Sequence, residues 1–318
     1  MHPWNQPILD SLKNRLDRLP HAMLLHGPRG VGKLALAETM AQLLLCEQKE
    51  LKQRPCGQCD GCRWYLAGNH PDFRRLEPEA IAKMPPPAEA EEGSEPAAAK
   101  RTKQPSLFIL IEQVRELAAF LNLRSHRGAL RVALVHPAED LYPNAANALL
   151  KGLEEPPAGA IFILVSHRPS RLLPTVRSRC VAIPVPIPAR EAALAWLATQ
   201  GIQNADRWLA FAGGAPLQAL EYAAEAGAWE RLLKSPQPVD DRDSLERLAE
   251  ALQKMAYDRA FSAFGLAPKY RTGVTAGRSA RAWLTFARRM GEDRVLTRHP
   301  LNPRLFSADL LGSLRNLT

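Results

Sequence analysis

The sequence predicts a doubly wound α/β domain with a parallel sheet over about residues 1–187, followed by two helical domains at about 188–234 and 235–318. Three observations carry that prediction. Short apolar runs alternate with helical patterns through the first part of the chain. A glycine-rich loop joins the first such run to the first long helical pattern. After Pro188 the strand signals stop and helical spacing remains.

The first strand is expected at residues 22–26, Ala-Met-Leu-Leu-His, a short apolar run of the kind buried in a parallel sheet. It runs into Gly27-Pro28-Arg29-Gly30-Val31-Gly32-Lys33, and then Leu36, Met40, Leu43 and Leu44 recur at helical spacing. Strand, loop and helix in that order give the context of a phosphate-binding loop of the form G-x-x-x-x-G-K-[ST]. In such a loop the glycines, here Gly27, Gly30 and Gly32, let backbone N–H groups cradle phosphates, and Lys33 reaches the outer phosphates. The last position is Leu34, where Ser or Thr would ligate Mg²⁺, and leucine offers a metal no oxygen. The loop therefore reads as that of a nucleotide-binding ATPase with part of its metal chemistry lost. The cradle needs nothing from Leu34, so nucleotide binding without hydrolysis stays open.

Four of the five cysteines follow: Cys46, Cys56, Cys59 and Cys62, spaced C-x₉-C-x₂-C-x₂-C. Four thiolates suit tetrahedral Zn²⁺ and leave it no open coordination position, so a structural site is expected. Gly57 and Gly61 are expected to form the tight turns between ligands. An iron–sulfur cluster, which uses similar ligands, is the lesser alternative. His70-Pro71-Asp72 reads as a turn leading into the second strand. Residues 78–105 hold six prolines and almost no large apolar side chains, which predicts a disordered surface loop.

Further strands are expected at Leu130–Val135, Ile161–Val165 and Val181–Val185, with helical patterns at Glu112–Leu123 and Asn144–Leu153. In the helical part, patterns fill Arg190–Gln200, Ala205–Phe211 and Pro216–Gly227. Ser235-Pro236-Gln237-Pro238 reads as a linker, and helical spacing resumes from about Asp241. Trp196, Trp208, Trp229 and Trp283 lie within these patterns and are expected in a core or an interface.

Composition narrows the class. The 318 residues carry a net charge of +9, and from Arg231 onward there are 16 Lys/Arg against 9 Asp/Glu. A basic half of that kind suits nucleic acid, an acidic partner or a solvated helical surface. No apolar run reaches the ~18 residues of a membrane span, and Met1-His2-Pro3-Trp4-Asn5 has no signal-peptide pattern. An odd cysteine count without a secretion signal argues against a disulfide framework, so a cytoplasmic protein is expected.

Two longer motifs carry a family resemblance. Asn147-Ala148-Leu149-Leu150-Lys151-Gly152-Leu153-Glu154-Glu155-Pro156-Pro157 and Leu172-Leu173-Pro174-Thr175-Val176-Arg177-Ser178-Arg179-Cys180, with the four-cysteine module after the first long helix, resemble the AAA+ clamp-loader subunits of bacterial DNA polymerase III. The resemblance covers roughly residues 7–186 apart from 78–105. It implies an AAA+ P-loop domain with an inserted zinc module, a small helical lid and a C-terminal helical collar. It also implies partners: the motor subunits tau/gamma, the delta subunit and, through the complex, the sliding clamp and primed DNA.

Motor subunits of this family carry an Asp-Glu pair at the end of the third strand, and the matching positions here are His136 and Pro137. Glu139 and Asp140 are offset from that place. The family's nucleotide-sensing arginine in Gly-Ser-Leu-Arg-Asp falls at Leu217 within Gly214-Ala215-Pro216-Leu217-Gln218. The resemblance therefore implies a non-motor subunit. What is retained is Ser178-Arg179-Cys180, whose arginine in clamp loaders projects into a neighbour's ATP site, an arginine finger supplied in trans. Two other readings remain: an ATP-hydrolysing motor subunit, and a zinc-containing DNA-binding protein without oligomeric partners. The second leaves Arg179 unexplained.

Overall fold

A computed structural model describes residues 1–82, 105–123, 130–273, 279–297, 301–315 and 317. The described chain divides into two compact units, Met1–Pro186 and Ile187–Thr318.

The first unit is built on five parallel strands: β1 (Ala22–His26), β2 (Phe73–Leu76), β3 (Arg131–Val135), β4 (Ala160–Ser166) and β5 (Val181–Pro184). Their order is β2-β3-β4-β1-β5, so the strand feeding the glycine loop lies inside the sheet. Register is set by buried apolar residues on both faces: Leu24 pairs Leu164, and Leu134 pairs Ile163. β3 and β4 are buried along their whole length, as expected for strands covered on both sides.

Side chains alternate across the sheet. Ala22, Leu24, Ala133, Val135, Phe162 and Leu164 share one core with helices α5 (Ile111–Asn122) and α6 (Pro143–Glu154). The other face packs against α2 (Lys33–Leu45), whose Leu36, Ala37, Met40, Ala41 and Leu43 are buried. Shorter helices complete this unit: α1 (Gln6–Lys13), α3 (Asp60–Leu66), α4 (Glu79–Ala82) and α7 (Pro174–Arg177).

β5 is an edge strand and is largely exposed, with Val181 half open to solvent. The loop expected over 78–105 begins with the helical turn α4; residues 83–104 lie outside the described residues. His70 forms the anticipated turn, its ring Nδ1 accepting the Asp72 N–H at 3.0 Å just before β2.

The second unit is helical: α8 (Arg190–Thr199), α9 (Ala205–Phe211), α10 (Pro216–Ala224), α11 (Ala226–Lys234), α12 (Arg242–Ala263), α13 (Ala280–Leu296) and α14 (Pro303–Arg315). The single helix expected over Pro216–Gly227 is instead two, broken at Glu225 (φ −110°, ψ 26°). Helical spacing persists across that break because Tyr222 and Trp229 both turn into the same core. That core continues from Leu197 and Trp208 through Leu248, Leu252, Trp283 and Met290 to Leu310, on both sides of the 234/235 boundary. Trp196 packs at its margin. Among the described residues no helix is long and apolar enough to cross a membrane.

A buried polar network crosses this core. Glu250 accepts from the Tyr222 hydroxyl and pairs with Lys254 (2.7 Å) and Arg294 (3.1 Å), while Lys254 also donates to the Tyr222 oxygen (2.9 Å). The Lys254 ammonium lies 4.0 Å from the Phe211 ring centroid.

Candidate phosphate loop, cysteine cluster and exposed arginine

The glycine loop lies at the carboxyl edge of the sheet, where ligands of open α/β folds bind. Gly27 follows β1 at φ +150°, and a Cβ there would stand 2.2 Å from the Val185 carbonyl oxygen. No side chain fits. Gly30 (φ +81°) and Gly32 (φ +84°) are also left-handed, and Gly32 is the N-cap of α2. The backbone of a phosphate cradle is thus present.

Its lysine is already occupied. Lys33 is 2% exposed, and its ammonium donates to the loop's own carbonyls, Gly27 at 2.8 Å and Pro28. Burial pushes its pKa down to about 8, with Arg29 adding to the effect and Glu139 opposing it. The turn Pro3–Asn5 packs on the loop from outside: Asn5 Nδ2 donates to Val31 O (3.0 Å) and Gly32 O (3.3 Å), and Trp4 Nε1 donates to Val31 O (3.0 Å). The sequence pattern gave no hint of these contacts, because they depend on how the first turn docks.

At the neighbouring strand ends, His136 follows β3 and His167 follows β4, their Nε2 atoms 3.3 Å apart. Burial, with the Lys33 and Arg29 charges acting in the same direction, lowers His136 to about 4 and His167 to about 2. Both rings are neutral at pH 7. The Glu139 carboxylate accepts the His167 backbone N–H (2.9 and 3.2 Å), and Asp140 is 5% exposed. Glu139 is thus engaged by backbone, Asp140 is buried, and the residue that follows β3 is an uncharged imidazole. The His136–His167 pairing joins residues far apart in sequence and was missed at that level.

The four cysteines do converge. Cys46 caps the C-terminus of α2, Cys59 is the N-cap of α3, Cys62 lies in its first turn, and all four Sγ atoms fall within 4.8 Å of one another. Separations of 3.6 Å (Cys46–Cys56), 3.9 Å (Cys46–Cys59) and 4.0 Å (Cys56–Cys62) match the ~3.8 Å edge of a tetrahedron with ~2.3 Å metal–sulfur bonds. The Gln58 and Cys59 N–H groups hold the Cys56 thiol down to about 6, whereas burial pushes Cys62 up to about 12. A divalent cation at the centre would offset that cost and keep all four as thiolates. Gly57 turns at φ +71° as anticipated, but Gly61 does not serve a turn. It sits inside α3, where a Cβ would meet the Leu45 carbonyl oxygen at 2.5 Å, so it permits close packing of α3 on the end of α2.

Arg179 stands just beyond α7 and is about one-third exposed, with 34% of its side-chain surface open. Its Nη1 donates to Thr175 O (2.9 Å) and Ser178 Oγ (3.4 Å), and its Nη2 pairs with the Glu154 carboxylate at the end of α6. Leu217 lies in the first turn of α10 in the other unit.

A parallel α/β domain carrying a phosphate-loop backbone and a four-thiol cluster defines a class of nucleotide-site-like domains built around a P-loop. The family model described as DNA polymerase III, delta subunit, matches residues 4–188, and the chain belongs to that family. Its relatives include DNA polymerase III subunit delta-prime of Pseudomonas aeruginosa, 40% identical over 223 residues, which is 69% of this chain and 60% of that protein. The same subunit of Escherichia coli is 32% identical over 255 residues, 73% of this chain and 69% of that protein. DNA polymerase III subunit tau of Salmonella typhimurium is 34% identical over 176 residues, 55% of this chain and 23% of the tau protein. The match thus spans somewhat less than two thirds of the Pseudomonas relative's length.

Proposed function

We propose that this chain is a non-motor subunit, of the delta-prime type, of a bacterial DNA polymerase III clamp loader. It supports ATP-dependent loading of the sliding clamp onto primed DNA and donates Arg179 as an arginine finger to a neighbouring ATPase subunit. One contrast carries the reading: an arginine is presented at the surface, while the chain's own loop has its lysine tied to loop carbonyls and imidazole in place of the magnesium ligand. An arginine reaching a transferring phosphoryl group from outside can contribute about 10³–10⁵ in rate.

The remaining assignments follow from it. Cys46, Cys56, Cys59 and Cys62 hold structural Zn²⁺, favoured over other soft-ligand metals by four thiolates with no open position. Residues 188–234 form a lid, and the basic region 235–318 forms a collar that contacts partner subunits, tau/gamma and delta. Contact with DNA is made through the complex, in the cytoplasm. The tau relationship favours a second reading, an ATP-hydrolysing motor subunit; Leu34, His136 and Pro137 argue against it.

The test is a complex reconstituted with Arg179→Ala. Assembly should be intact and clamp loading slower by at least about tenfold. A loading rate equal to that of the unaltered complex would remove the finger assignment.

A further inference from the structure

Arg179 has five N–H donors in a rigid fork, and a group of that kind acts on a transition state only when its orientation is set beforehand. Three acceptors set it here. Thr175 O and Ser178 Oγ lie one turn and one residue back along the same segment, so they fix Nη1 relative to α7 alone. The third, the Glu154 carboxylate, comes from a different element, the C-terminus of α6. It ties Nη2 to the helix whose Ala145, Ala146, Leu149 and Leu153 are buried in the core of the unit. The Arg179 Nε–H is buried and has no acceptor among the described residues, so the guanidinium is incompletely satisfied in the free chain.

We infer that Glu154 is a positioning residue for Arg179: its carboxylate holds the guanidinium in the orientation in which it meets a neighbour's phosphates. The inference rests on the arginine-finger reading and adds a residue to it. The Glu154 side chain is 47% exposed, and the pair is screened by solvent. An anchor of this strength orients the arginine without trapping it. A phosphate, carrying more charge and more acceptor oxygens, can take over the Nη donors when it arrives. Glu154 itself touches no nucleotide in this scheme. Its contribution is preorganisation, which speeds the chemical step and leaves ground-state ATP binding unchanged.

The experiment is steady-state ATP hydrolysis by the fully reconstituted complex, in the presence of clamp and primed DNA, for four forms of this subunit beside the unaltered one. Glu154→Ala should lower kcat by about five- to twentyfold with KM for ATP within about twofold of normal. Glu154→Gln keeps an acceptor oxygen and should recover most of that loss. In Arg179→Ala, adding Glu154→Ala should cost nothing further, because the positioned group is gone. If Arg179→Ala slows the complex and Glu154→Ala does not, or if the double variant is slower than Arg179→Ala alone, positioning by Glu154 is overturned while the finger stands. If Arg179→Ala has no effect, the finger reading fails and this inference fails with it. Thermal unfolding of each isolated variant separates these outcomes from loss of fold: a half-exposed helix-end carboxylate should leave Tm nearly unchanged.

Discussion

At the scale of single residues, chemistry follows environment more than identity. Lys33 occupies the place of a phosphate-binding lysine, yet its ammonium is bound by Gly27 and Pro28 carbonyls and its pKa is depressed by burial. Glu250 shows the opposite balance. Burial alone would raise its pKa, but the Lys254 and Arg294 charges and the Tyr222 hydroxyl hold it down to about 2. A carboxyl whose folded value lies below its ordinary 4.5 contributes stability that is complete above about pH 4.5 and is lost as pH falls toward about 2. Glu250→Gln should flatten acid destabilisation in that window, read by urea unfolding at pH 7 and pH 3. It should also cost about 3–5 kcal/mol at neutral pH, because Lys254 and Arg294 lose their buried counter-charge. An unchanged pH slope would refute the assignment. Of these residues the sequence singled out only Lys33; Glu250 and Lys254 read as one more i,i+4 pair on a polar helix face, since helical periodicity does not say which face is buried.

At the scale of elements, the phosphate loop and the cysteine module were legible because their residues are close in sequence. Each glycine and cysteine is positioned by a turn or helix end a few residues long. Gly27→Ala should destabilise the first unit by about 1–3 kcal/mol, since the new methyl would meet the Val185 carbonyl just after β5; unfolding at the midpoint of the unaltered protein would contradict this. The cysteine cluster should bind about one metal ion per chain, measurable by elemental analysis of protein prepared under reducing, chelator-free conditions. Cys59→Ser should release the ion and lower Tm, because the junction between α2 and α3 is then left with only its packing. Retention of metal by that variant would argue against a four-thiol site. Less legible was the break between α10 and α11, where one apolar stripe runs through two helices that face the same core.

For the whole molecule, the loop, the strand ends and Arg179 bear on one expectation: the isolated chain should show no ATP turnover. The loop's lysine is engaged by loop carbonyls, an imidazole follows β3 where the family resemblance implies a carboxylate, and Glu139 accepts a backbone N–H. Steady hydrolysis by the pure protein that disappears in Lys33→Ala would overturn it. The sequence by itself determined the α/β class, the loop, the thiol cluster and the family, because strand–loop–helix order, cysteine spacing and local motifs are written in neighbouring residues. Only the tertiary structure decided that Asn5 closes on Val31, that His136 meets His167, and that Glu154 reaches Arg179. Those contacts join segments 25 or more positions apart, and their existence depends on strand order and helix packing, to which no local pattern is sensitive.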